Sequence, residues 1–308
     1  MRVLLTGGCG FIGAWIAKRL AAKGVNVRIF DLRIQRKIID LVCGAAVADR
    51  FEWVAADVAD TEAVHAAARG CDVLIHLAGM LTPGCRDDPV LGAKVNLIGL
   101  LNVFLAARAE GVARVLYMSS AGVFGPDGGR VPSPTTHYGA FKLAAERSAA
   151  AFWEDDQMLS VGFRPYVVYG LGREDGLSAG PSLACRAAAR GLPYVIPFTG
   201  AFDIIHVDDV AAAFEAALEA PLTQAHHVDL LGQSVRVEAV VETLREVVPG
   251  AAVRAEGPPL PIRLPDGIQG AGALLPGWSA RGLREGIAGT IEDYRRALSV
   301  TADWGRAE

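Results

Sequence analysis

"LLTGGCGFIG", residues 4–13, carries two glycine spacings at once. Gly8, Gly10 and Gly13 give G-x-G-x-x-G, whereas Gly7, Gly10 and Gly13 give G-x-x-G-x-x-G. Either spacing serves a tight turn from a strand into a helix, where small residues let backbone amides approach a diphosphate at the helix N-terminus. The apolar "RVLLTG" leads into the turn and the alanine-rich "FIGAWIAKRLAAKG" leaves it, so a dinucleotide-binding strand–turn–helix is expected. Gly7, Gly10, Phe11, Ile12 and Gly13 are its expected cofactor contacts.

Outward from the turn, Asp31 closes the next strand, eighteen residues after Gly13. A carboxylate at that offset suits adenosine ribose hydroxyls and repels a 2′-phosphate, which favours NAD over NADP. Arg33 suits stacking on adenine or holding a phosphate. Asp57, with Val58 beside it, fits an adenine-amine acceptor and equally fits a helix cap. Leu77, Ala78 and Gly79 follow the fourth strand, where small residues admit close backbone approach.

Short β-branched runs alternate with alanine-rich helical segments through "VNVRIFD", "FEWVAAD", "VLIHLAG", "RVLYMSS" and "SVGFRPYVVYG". That rhythm predicts an α/β fold, a Rossmann-type doubly wound parallel sheet with a smaller interleaved C-terminal substrate-binding region. The expected NAD-binding domain takes residues 1–170 plus about 203–220, and the smaller region about 171–202 and 221–308.

With 308 residues, 52% hydrophobic and 21% charged, the chain can bury a large core. A formal net charge of −4 without a basic run excludes the electrostatic footprint of a nucleic-acid or membrane-surface binder, and Arg28 to Lys37 reads as a solvated edge. Five cysteines, without C-x-x-C, argue against a disulfide framework or zinc ribbon and favour a reducing cytoplasm. No metal is expected. Glycines and Lys18-Arg19 interrupt the apolar start, and no uninterrupted apolar stretch of about 18 residues predicts a membrane span.

Ser120, Tyr138 and Lys142 are the expected catalytic residues. Tyr and Lys at i and i+4 share one helix face, so a phenol and an ammonium meet in one site. A free phenol, with a pKa near about 10, is a poor base at neutral pH, but a neighbouring ammonium and a positive nicotinamide ring favour the phenolate. Lys142 would also hold the cofactor ribose, and Ser120 would orient the reacting oxygen.

"TGGCGFIG", "HLAG", "SSAGVFG", "YGAFK", "RPYVVYG" and "HVDDVA" follow one another in an order that resembles the extended short-chain dehydrogenase/reductase family, the NAD-dependent epimerase/dehydratases. The resemblance implies that Ser120 is the catalytic serine of its Ser-Ser pair and Ser119 a structural one. It implies cofactor contacts from Tyr166 and Val168 as well as Tyr138 and Lys142. Asn96 matches a family asparagine near the active site, and equally reads as a core polar group that distorts its helix. Pairing of the helices around 89–110 and 138–154 across a two-fold axis, hence a homodimer, is likewise implied by the family.

Departures from the family bear on the substrate. Nucleotide-sugar enzymes clamp the diphosphate with an arginine where this chain has Phe202, and "PLPIRLPDG" offers only Arg263 in place of a second one. Ala121-Gly122 stands where dehydratases carry an acidic pair. The substrate contacts expected are Thr82, Ser120, Ala121, Tyr138, Arg173 and Ser178; His206 is a further candidate that equally reads as a structural partner in its strand and turn. The leading expectation is an NAD-dependent dehydrogenase of a small hydroxylated molecule such as a sugar acid, lactone or polyol. The alternatives are a sugar or nucleotide-sugar epimerase working through a transient ketone, and a non-catalytic dinucleotide-sensing protein.

Overall fold

The computed structural model describes residues 1–300; residues 301–308 of the expected C-terminal region lie outside the described residues. In chain order the strands are β1 (Arg2–Thr6), β2 (Asn26–Asp31), β3 (Glu52–Ala55), β4 (Val73–His76), β5 (Arg114–Met118), β6 (Leu159–Pro165), β7 (Val167–Tyr169), β8 (Tyr194–Ile196), β9 (Ala201–His206), β10 (Ala225–Leu230), β11 (Gln233–Arg236) and β12 (Val253–Ala255). The chain divides into two compact units.

The first unit comprises Met1–Pro165, Val210–Leu230 and Ile262–Trp278. It holds a seven-stranded sheet in the order β10-β6-β5-β4-β1-β2-β3, with every neighbouring pair parallel. This is the Rossmann-type sheet the alternating sequence predicts. The strand order reverses beside β1, and open α/β sheets bind ligands at the carboxyl ends of the strands flanking such a switch. Val3, Leu4, Leu5, Leu74 and Ile75 are wholly buried, as continuous apolar runs in a sheet covered on both faces should be.

One covering layer is built on Phe104, from the helix Gly99–Glu110, which stacks on Phe152 of the helix His137–Asp156 at 4.9 Å and meets Tyr117 of β5 edge-on at 6.0 Å. Truncating a wholly buried phenylalanine of this kind costs about 3–5 kcal/mol. The aromatic group thus fixes the helix that carries Tyr138 and Lys142 against β5, which leads into Ser119-Ser120.

The second unit comprises Tyr166–Asp209, Leu231–Pro261 and, among the described residues, 279–300. β9 pairs in parallel with β7 and antiparallel with β11, and β8 pairs in parallel with β12. On one face of the helix Leu283–Val300, Ile287, Ile291 and Tyr294 are buried and Leu283 is half-buried.

Three differences from the sequence reading have local causes. "SVGFRPYVVYG", read as one strand, breaks at Tyr166 into β6 and β7, which belong to different sheets. Pro165 lacks an amide, so the ladder cannot run on past it. Residues 203–206, grouped from sequence with the first region, pair within the second unit's sheet, and residues 225–230, grouped with the second, form β10 on the edge of the first. Arg28 is no solvated edge: its guanidinium, 15% exposed, pairs with Glu52 at 2.7 Å and donates to the carbonyls of Ala67 and Arg69. The helical run Pro89–Glu110 is long and apolar enough to cross a membrane by length and composition alone, and half of its 18-residue apolar window is buried inside the protein.

Candidate active site

The glycine turn closes as its spacing requires. Gly7 has φ +68°, and a Cβ there would stand 2.6 Å from the Ala78 amide nitrogen; one on Gly13 would stand 2.6 Å from the Gly8 carbonyl oxygen. Gly7 donates to the Phe30 carbonyl at 2.8 Å and Gly10 to the Gly7 carbonyl at 3.1 Å. The helix Phe11–Ala22 begins at Gly10 with no side-chain cap and no acidic residue in its first turn. A bare helix N-terminus behind a backbone too tight for any side chain is a cradle for an anion, and it fits the diphosphate of a dinucleotide.

Asp31 is half-buried at the end of β2 and accepts from the Cys9 amide at 3.0 Å. Burial raises its pKa, against the amides of Cys9, Leu32 and Arg33, which stabilise the carboxylate. The carboxylate therefore braces the glycine turn from the side, a task its spacing in the sequence does not disclose. Arg33 is exposed. Asp57 is exposed too, and its Oδ1 accepts from the Ala59 amide at 2.9 Å in a local turn; the cap of the next helix, Thr61–Ala68, is Asp60 instead, which accepts from the Ala63 amide at 3.1 Å. Val58 points into the core, and its carbonyl accepts from the Asn102 side chain at 3.0 Å.

At the carboxyl end of β4, His76 Nδ1 and Thr6 Oγ1 of β1 lie 2.8 Å apart, and the Ala78 amide donates to the same hydroxyl at 3.4 Å. Burial and the nearby Lys142 charge lower the His76 pKa to about 3, so the imidazole is neutral and serves as a fixed strut. Leu77 and Ala78 are half-buried and Gly79 is exposed beside this strut.

Ser120 caps the short turn Ala121–Val123, its Oγ accepting from the Gly122 amide at 3.0 Å. A Cβ on Gly122 would stand 3.2 Å from Ser120 Oγ and 3.4 Å from the Tyr138 ring, so serine and tyrosine flank the same point. Tyr138 lies in the first turn of its helix, whose start Thr136 fixes by accepting from the Gly139 amide at 3.1 Å. Lys142, 4% exposed, donates from Nζ to the Met118 carbonyl at 2.9 Å and lies 5.6 Å from the Tyr138 ring centroid. Burial, partly opposed by attraction to Cys85 and Glu146, lowers its pKa to about 8. The structure thus brings Ser120, Tyr138 and Lys142 together at the carboxyl end of β5.

Asn96 sits on a π-helical turn, Lys94–Ile98, that interrupts the helix expected over 89–110. Its side-chain amide donates to the carbonyls of Gly92 at 3.0 Å and Met80 at 3.1 Å, and so ties the loop after β4 to the helix. Asn96 Oδ1 is buried without a protein partner, and it and Lys142 Nζ lie 2.9 and 3.5 Å from where a Gly79 Cβ would be. π turns concentrate at functional sites, and an unsatisfied buried acceptor calls for a partner that a bound ligand can supply.

Thr82 is half-buried in this unit and Ala121 is wholly buried. Tyr166, Val168, Arg173, Ser178 and His206 belong to the second unit. There Val168 is buried on β7, Arg173 donates to Ser178 at 3.1 Å, and His206 Nδ1 accepts from the Asp208 amide at 3.2 Å. Glu146 and Arg164 escaped the sequence reading. Glu146 stands one helical turn beyond Lys142 and two beyond Tyr138, a spacing that was legible, but nothing in the pattern marked its partner, Arg164 on β6.

The fold and this site define a dinucleotide-dependent redox enzyme. The chain belongs to the NAD-dependent epimerase/dehydratase family, whose model matches residues 3–231. It is 32% identical to UDP-glucose 4-epimerase of Mycolicibacterium smegmatis, over 96% of this chain and 99% of that one. To uronate dehydrogenase of Pseudomonas putida it is 29% identical, over 50% of this chain and 56% of that one. The structure of Thermus thermophilus UDP-glucose 4-epimerase in complex with NAD matches with a TM-score of 0.81 at 28% identity, over 96% of this chain and all of that one. The coenzyme is NAD, and the protein is an enzyme of the epimerase and dehydrogenase type.

Proposed function

We propose that the protein oxidises or reduces a secondary alcohol on a small hydroxylated substrate, a sugar acid, lactone or polyol, with Tyr138 as acid–base, Ser120 orienting the reacting oxygen and Lys142 tuning the phenol. The observation that carries this reading is Phe202. It stands where the family's nucleotide-sugar enzymes are expected to carry a clamping arginine, yet it is 4% exposed and packs edge-on against Phe198 at 5.3 Å. A diphosphate substrate would forgo a charge-assisted contact there.

Bound NAD supplies the two-electron acceptor or donor. The buried Lys142 ammonium lowers the cost of ionising Tyr138, so the phenolate takes the alcohol proton as the carbon is oxidised and returns it in reduction. Ser120 Oγ, held by its turn, keeps the alcohol oxygen within reach of that proton transfer. Gly7, Gly10, Phe11, Ile12 and Gly13 hold the diphosphate, Asp31 the adenosine ribose and Lys142 the second ribose. Thr82 and Ala121 serve as substrate contacts.

The similarity to UDP-glucose 4-epimerases favours a second reading, reversible inversion of a nucleotide sugar at the same three residues. A panel of uronates, aldonates, polyols and UDP-sugars separates the two. Net NADH formation on an acid or polyol is the expected result. Interconversion of UDP-glucose and UDP-galactose without NADH accumulation would establish the second reading instead. We further place the enzyme in a reducing cytoplasm, which its five free cysteines suit, and as a homodimer through the helical face bearing Val90, Leu91 and Ile98.

A further inference from the structure

Behind the reacting groups lies a buried charged brace that the proposed chemistry does not use. Glu146, 5% exposed, faces Arg164 of β6, 6% exposed. Arg164 Nε donates to Glu146 Oε1 at 2.6 Å and its Nη2 donates to Oε2, a bidentate pair. Ser119 Oγ donates to the same Oε1. Asp229 of β10 stands 3.8 Å from the third guanidinium nitrogen.

The connectivity is more telling than the charge. Tyr138, Lys142 and Glu146 are spaced by four residues on one helix, and Met118, Ser119 and Ser120 are consecutive at the end of β5. Lys142 holds the Met118 carbonyl while Glu146 holds the Ser119 hydroxyl. Two bonds, one helical turn apart, therefore lock the catalytic helix to the strand end on which Ser120 sits.

We propose that Ser119, Glu146 and Arg164 are positioning residues of the redox site, the Ser119–Glu146 bond setting the register of Ser120 against Tyr138 and Lys142. This rests on the reading of those three as the reacting groups. A buried ion pair is weak support for stability in itself but well suited to holding one geometry, and displacement of a reacting group by about 1 Å costs on the order of a hundredfold in rate.

Ser119→Ala tests the brace with little risk to folding, because Glu146 keeps both bonds to Arg164 and no charge is orphaned. In NAD-loaded protein, amide exchange over residues 120–124 should accelerate while that of β2 holds. On the panel substrate with the fastest NADH formation, kcat should fall about tenfold with KM unchanged. Glu146→Ala/Arg164→Met should lose as much, and adding Ser119→Ala to it should cost less than about twofold more, since coupled residues are not additive. Glu146→Gln/Arg164→Met, which keeps the acceptor for Ser119, should restore turnover to within about threefold of the parent.

Unchanged exchange in Ser119→Ala overturns the proposal whatever the substrate, and so does unchanged kcat, multiplicative losses, or failure of the Gln/Met pair to restore turnover. Full turnover by Tyr138→Phe is a different result: it strikes the redox reading itself and removes the brace's purpose with it.

Discussion

Lys142 sits where solvation and chemistry conflict. Its ammonium is buried, and its pKa falls from 10.5 to about 8. Between those values the unfolded chain binds more protons than the folded one, so stability rises as pH climbs from about 8 to about 10.5. Below that window folding bears the cost of burying the charge, and Lys142→Met should raise unfolding stability at pH 7 by about 2 kcal/mol while lowering turnover about a thousandfold. Denaturant midpoints at pH 7 and 10.5 check the first part; the gain should vanish at the higher pH. At this scale type and spacing marked Ser120, Tyr138 and Lys142 as candidates, and the structure sets the three near one another at the carboxyl end of β5. Asp31 was read for its ribose contact, and its bond to the Cys9 amide was invisible because it joins segments that only the turn brings together.

The glycine turn and the helix His137–Asp156 are the elements the proposed chemistry depends on. Gly7→Ala would set a methyl 2.6 Å from backbone at a left-handed φ, so NAD affinity should fall by more than about tenfold, measured by calorimetric titration. Gly139 lies in the first turn of the catalytic helix, where a Cβ would approach the Gly122 carbonyl oxygen to 2.1 Å. Gly139→Ala should therefore push the helix start off the Ser120 turn, costing about 2 kcal/mol or more and most of the turnover. Thr136→Ala, which removes only the cap, should cost about 1 kcal/mol and little activity. The helices were legible from their spacing. A distortion of the helix at Asn96 was one of the two readings of that residue, and the buried Asn96 on a π turn agrees with it; the π form itself was not legible, because a polar residue in an apolar helix does not say how the backbone yields.

Over the whole molecule, Asp203 of β9 is the buried carboxyl whose titration should show most clearly. It is 3% exposed, accepts from the Gly232 amide at 2.9 Å, and burial raises its pKa to about 6. From about pH 4 to 6 the folded state holds the proton more tightly, so stability falls as pH rises through that range. Asp203→Asn keeps the acceptor and removes the charge; it should add about 2 kcal/mol at pH 7.5 and nothing near pH 3.5, read from melting curves. Ile98→Glu should convert a sedimenting dimer to monomer, since Ile98 is 42% exposed on the proposed pairing face. The parallel sheet was legible from alternating strands and helices, but the membership of β9 and β10 was not. Strand propensity says that a segment pairs, and only tertiary context says with which sheet.

The polypeptide passes between the two units at Pro165, Asp209, Leu230, Pro261 and Trp278, so the first is stitched from three separate stretches. During synthesis β6 leaves the ribosome some sixty residues before β10, the partner that covers its outer edge. Until then Val161 and Phe163 belong to an open, apolar border of the sheet, the kind of surface that recruits other nascent chains. Yield of active enzyme should accordingly depend on holdase chaperones and translation speed across residues 165–230, and truncation before β10 should leave an insoluble product.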